Sequence, residues 1–226
     1  MTIAPTDLLS TIELDNGIDP THTILWMHGL GADGNDFVPI IDELELPPDS
    51  RTRFVFPHAP MRPVSINNGF VMRAWYDVLN LNFSQPEDET GLRDSQRAIE
   101  ALLEREQQRG ITPERIVLAG FSQGGAMALQ TGLRYPEKLA GIMALSCYLP
   151  LQQTLTAEAH RANSATSIFM AHGSRDPVIP MTLAAASRRQ LLESGYTVEW
   201  HEYPMAHAVC MEEMADISAW LRQVLI

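Results

Sequence analysis

Ser122 stands in Gly120-Phe121-Ser122-Gln123-Gly124, a G-x-S-x-G inside the stretch 116-IVLAGFSQGGAMAL-129. An apolar, β-branched run leads into it and small residues follow. That context predicts a tight strand-to-helix turn presenting the serine hydroxyl, the arrangement called a nucleophile elbow. Side chains two residues before and after the serine would collide in such a turn, so glycine is expected at both places. The helix that follows aims free N–H groups at the turn and favours negative charge developing there.

A serine hydroxyl becomes nucleophilic only when a base takes its proton and a third group orients that base. Where the serine sits on this kind of elbow, an acid and then a histidine follow it in chain order. Asp176, in HGSRDPVIP, is the single aspartate between Ser122 and the last histidine. It falls just past an apolar run that reads as a strand. His207, in EYPMAHAV, falls just past the final strand-like run. Each has a plainer reading, a turn starter before Pro177 and a neighbour of a helix start, but the elbow and the chain order together favour catalysis. His22, His160 and His201 read as surface or strand residues, and His28 and His58 as structural groups near the site edge. His172 is expected to support the Asp176 loop. Glu137, Glu158, Glu193, Glu199 and Glu202 read as solvated carboxylates.

A second glycine-rich turn, 23-TILWMHGLGADGND-36, contains a literal G-x-G-x-x-G. A dinucleotide-binding turn of that form needs an acidic residue about 20 positions on, at the end of the next strand. RFVFPHAP stands there instead, with no acid. The serine elbow has a different need, a second backbone N–H for an oxyanion hole, taken from an earlier strand–helix loop. The backbone N–H groups of Leu30 and Gln123 are therefore assigned to that hole. The chemistry so assembled is acyl transfer through an acyl-enzyme, and it calls for no cofactor and no metal.

The elements needed to position these residues are legible as apolar runs at 11–14, 23–28, 53–59, 115–121, 139–148, 166–173 and 197–203. Several are apolar almost throughout, as strands buried on both faces of a parallel sheet are. Helical patterns lie between them at 91–109, 124–134, 182–194 and 211–225, stopping at Gly110, before Tyr135-Pro136, at Gly195 and at the C-terminus. This alternation predicts a single α/β domain over 1–226, a mostly parallel sheet with helices on both faces. Only residues 58–91 break the rhythm. They are proline-punctuated and lack a sustained period, yet carry Phe70, Trp75, Tyr76, Leu79 and Phe83. A packed lid or substrate-binding loop over the site is expected there.

The chain has 226 residues and a net charge of −12, with 16 Lys and Arg against 28 Asp and Glu. So acidic a surface repels polyphosphates, so nucleic acid is not expected as a partner. The N-terminus lacks the pattern of a signal peptide, and no run reaches the ~18–20 apolar residues of a membrane span. Two cysteines, Cys147 and Cys210, make neither a disulfide scaffold nor a metal site. A cytoplasmic setting is expected.

Taken together, HGLGADGND, FPHAP, RAWYD, GFSQGGAMAL, LSCYLP, HGSRDPVIP and MAHAV resemble the acyl-protein thioesterase family, also called phospholipase/carboxylesterase, with its small bacterial carboxylesterases. The resemblance runs from about residue 10 to the C-terminus. It implies the α/β-hydrolase fold, Ser122 as nucleophile with Asp176 and His207 as partners, and Leu30 and Gln123 as oxyanion donors. It also implies that the loop carrying Trp75 and Tyr76, with Phe70 and Leu79, lines an acyl pocket, and that homodimers are common. The expected reaction is hydrolysis of carboxylic esters of short to medium acyl chains, with acyl thioesters as further substrates. A lysophospholipase or a depalmitoylating thioesterase is the alternative within enzymes. A non-catalytic ligand receptor on the same fold would have a damaged triad, and all three members are present.

Overall fold

The computed structural model describes residues 8–47, 50–79 and 86–225. Seven strands form one sheet: β1 (Thr11–Asn16), β2 (His22–Met27), β3 (Thr52–Pro57), β6 (Ile116–Phe121), β7 (Gly141–Leu145), β8 (Ser167–Gly173) and β9 (Val198–Tyr203). Their spatial order is β1-β3-β2-β6-β7-β8-β9. Only β1 runs antiparallel to its neighbour, and every other pairing is parallel. The seven expected strands are therefore all present, within a few residues of their expected bounds.

Alternate strand residues face opposite ways, and each face is covered. Leu25, Met27, Val55, Leu118, Ile142 and Met170 meet the helices α2 (Glu89–Gln108), α3 (Gln123–Gly132) and α5 (Met181–Glu193). Ile24, Trp26, Phe56, Val117, Met143 and Phe169 meet α1 (Ile40–Glu43) and α6 (Met211–Val224) on the other side. A short helix, α4 (Leu155–Glu158), buries Leu155 on the first face. Burying two faces explains why the central strands read as continuous apolar runs rather than alternating ones. No helix among the described residues is long and apolar enough to cross a membrane.

The described part of the segment 58–91 is more ordered than its lack of periodicity indicated. It holds an antiparallel hairpin of β4 (Met61–Val64) and β5 (Phe70–Arg73), paired from Met61↔Arg73 to Val64↔Phe70. The reversal uses Asn68 and Gly69 at φ 55° and 76°. Asn-Gly between two short apolar runs is a hairpin signal. Strands of four residues, one of them containing Pro63, are too short to show alternation. Phe83 lies outside the described residues.

Candidate active site

Three strands deliver the candidate catalytic residues to one edge of the sheet. Ser122 follows β6, Asp176 follows β8 and His207 follows β9, all at the carboxyl ends where parallel sheets bind their ligands. Ser122 holds φ 54° and ψ −119°, a conformation rare for a residue with a Cβ. Its N–H donates to Leu145 O at 2.9 Å and its carbonyl accepts from Ala126 N at 3.0 Å, so strand and helix clamp the turn from both sides. The flanking glycines are required by space. A Cβ on Gly120 would run into the Gly124 backbone, and one on Gly124 into the Met27 carbonyl at the end of β2.

The Asp176 side chain is fully buried and yet well satisfied. Its Oδ1 accepts from the backbone N–H groups of Val178 and Ile179 at 2.8 and 2.9 Å. Its Oδ2 lies 2.6 Å from Nδ1 of His207. An ionised carboxylate can only accept, so Nδ1 carries the proton and Nε2 is left as the basic nitrogen. The His207 ring packs against Phe121 with centroids 4.7 Å apart, which fixes the imidazole beside the elbow.

His172 takes the supporting part expected of it. Its Nε2–H donates to Ile179 O at 2.9 Å and lies 3.5 Å from Asp176 Oδ2. Ile179 is thus held by its carbonyl to His172 and by its N–H to Asp176. Burial lowers the basicity of His172 and keeps the ring neutral. His28 is likewise structural. Its Nε2 accepts from Ala59 N at 3.0 Å, so Nδ1 is the protonated nitrogen and donates to Gly29 O at 2.7 Å. His58 accepts from Gly34 N at 3.1 Å.

The backbone N–H groups of Leu30 and Gln123 make no hydrogen bond among the described residues. A Cβ on Gly29 would lie 3.4 Å from Ser122 Cβ, which places the β2 loop directly against the elbow.

A cavity of about 290 Å³ opens over these groups. Gly29, Leu30, Ser122, Gln123 and His207 form part of its lining, and Ile66, Tyr76, Val78, Phe121, Val178 and Ile179 contribute an apolar part. Tyr148 joins them, accepting at its hydroxyl from Tyr76 at 3.1 Å. Burial raises both phenols, so they stay protonated.

Of the four residues expected to line an acyl pocket, Tyr76 lines this cavity and three do not. Trp75 is wholly buried behind the wall, its indole turned to the backbone of His28. Phe70 is 68% exposed at the start of β5, beyond the Asn68-Gly69 reversal, and Leu79 is 46% exposed; neither reaches the cavity. Tyr148, Val178 and Ile179 are among the lining residues that the sequence left unassigned. Their signal is position, since Tyr148 follows β7 and the other two follow Asp176, at the same sheet edge.

Fold and site are those of a carboxylic ester hydrolase of the α/β-hydrolase type. The chain belongs to the phospholipase/carboxylesterase family, whose model matches residues 13–225. It is 37% identical to acyl-protein thioesterase 1 of Gibberella zeae, over 91% of each chain. Arabidopsis thaliana SOBER1 superposes with a TM-score of 0.86 at 32% identity, covering 91% of this chain and 99% of that one. Zea mays acyl-protein thioesterase 2 does so at 0.83 and 28%, covering 96% of this chain and 99% of that one.

Proposed function

We propose that Ser122, His207 and Asp176 form a catalytic triad that hydrolyses carboxylic esters, and acyl thioesters as well, of short to medium acyl length. The observation that carries this is the 2.6 Å contact between His207 Nδ1 and a buried Asp176, opening on the same cavity as the strained Ser122. Ser122 Oγ attacks the acyl carbonyl as His207 Nε2 takes its proton. Asp176 holds the imidazole in the required tautomer and stabilises the imidazolium that forms. The oxyanion rests on the N–H groups of Leu30 and Gln123, neither of which has another partner among the described residues. His207 then gives its proton to the leaving alcohol or thiol. Water repeats the cycle to release the acid.

A cavity of about 290 Å³ with an apolar wall supports short to medium acyl chains. Acyl thioesters enter because the relatives are named acyl-protein thioesterases. A cytoplasmic setting and a homodimer belong to the same proposal and are supported by the family likeness.

Ser122→Ala is expected to lower hydrolysis of p-nitrophenyl acyl esters by at least about a thousandfold. A fluorophosphonate probe should label Ser122 alone, as mapped by peptide mass. Retained turnover, or a label elsewhere, refutes the assignment.

A further inference from the structure

An oxyanion hole works only if its two N–H groups are held within a few tenths of an ångström of their working positions. Here those donors come from two elements far apart in sequence, the β2 loop at Leu30 and the elbow at Gln123. One four-residue segment, Arg73 to Tyr76, bonds to both. Gly31 N donates to Arg73 O at 2.9 Å, and the Trp75 indole donates through Nε1 to His28 O at 2.9 Å. These two bonds grip the β2 loop on either side of Leu30. On the elbow, the Gln123 carboxamide accepts from Trp75 N at 3.0 Å and donates to Tyr76 O at 2.9 Å. Ser95 Oγ donates to Trp75 O, anchoring the segment to α2.

Trp75 is the one residue of this segment that bonds both halves, by its backbone N–H to Gln123 and by its side chain to His28. Its indole packs on the His28 ring with centroids 5.4 Å apart and is wholly buried. His28 in turn donates to Gly29 O, the residue before Leu30. Without the indole N–H, His28 O would lose a buried partner immediately before the Gly29–Leu30 peptide.

We infer that Trp75 is a positioning residue of the oxyanion hole, its indole N–H fixing the Leu30 donor relative to the Gln123 donor rather than contacting the acyl chain. The inference rests on the hydrolytic reading above.

The test replaces Trp75 by 3-benzothienylalanine, a sulfur isostere of tryptophan that deletes only the N–H donor, with Trp75→Phe as a second variant. Three quantities are read on matched acetyl and octanoyl esters: kcat, KM, and affinity for a trifluoromethyl ketone, which forms a tetrahedral oxyanion on the nucleophile. The expected result is a fall in kcat of about tenfold, the scale of one buried hydrogen bond. KM should stay within about twofold for both esters, and ketone affinity should fall by the same factor as kcat. Unchanged kcat and ketone affinity overturn the inference, even if thermal stability drops, because that is what a purely structural tryptophan gives. A KM rise confined to the octanoyl ester also overturns it and returns Trp75 to the acyl wall. Failure of the hydrolytic reading is separate, since the unsubstituted protein would then neither turn over esters nor take the fluorophosphonate at Ser122.

Discussion

Asp176 combines full burial with four close polar neighbours, and its geometry makes a sharp prediction. In Asp176→Asn, the amide oxygen keeps the Val178 and Ile179 N–H groups, which can only meet an acceptor. The amide nitrogen then faces His207 Nδ1, and since it can only donate, the histidine must carry its proton on Nε2. That tautomer has no basic nitrogen toward the serine. Ester kcat is expected to fall by about three to four orders of magnitude with the fold intact by circular dichroism. A loss of tenfold or less would mean that Asp176 does not set the tautomer. Ser122, Asp176 and His207 were readable from type, order and flanking runs, because each sits where an apolar run ends. Trp75 was readable as important but not as to its part. An aromatic residue in a loop looks the same in sequence whether its ring faces a ligand or its indole N–H faces a carbonyl.

Elements bring their own chemistry, and α6 carries a buried acid. Glu213 is fully buried in the first turn, and neither carboxyl oxygen completes a hydrogen bond among the described residues. Burial pushes its carboxyl up to about 8, the nearby Cys210 backbone N–H offsetting only part of this. In the unfolded chain the group loses its proton near 4.5. Between those values the folded state holds more protons than the unfolded one, so stability falls as pH rises through this window. The proton-linked cost is nil below the window and on the order of 3 kcal/mol at pH 7, at about 1.4 kcal/mol per pH unit. Glu213→Gln is therefore expected to match the parent near pH 4 and to exceed it increasingly up to pH 8. Urea unfolding at several pH values reads this directly, and a pH-independent difference would refute it. The β4–β5 hairpin was hidden from periodicity by its length, although Asn68-Gly69 marked its turn. Longer strands were legible because burial on both faces leaves uninterrupted apolar runs.

Across the whole molecule, a net charge of −12 acts at a distance on whatever approaches the cavity. Long-range repulsion slows the encounter with an anion, and salt screens it over roughly 10 Å at 0.1 M. Raising ionic strength from about 0.01 to 0.2 M is expected to increase kcat/KM for a polyanionic acyl thioester such as an acyl-coenzyme A. A neutral p-nitrophenyl ester of the same acyl length should change little. Equal salt responses for the two substrates would remove the electrostatic account. No such effect can be assigned to a single residue, since it comes from the sum of the surface charge.

Composition and pattern were enough to determine the layered α/β sheet, the elbow, the chain order of Ser122, Asp176 and His207, and the glycine turn beside the elbow. Each of these depends on local sterics or on burial periodicity, which are written into neighbouring residues. What lines the cavity was decided only by tertiary structure. Trp75 and Tyr76 are adjacent in sequence, yet one is buried behind the wall and the other forms it. The reason is long-range hydrogen bonding: the Gln123 carboxamide holds the backbone of both, and the His28 carbonyl draws the indole inward. Those partners lie 47 or 48 positions away, beyond the reach of any periodicity.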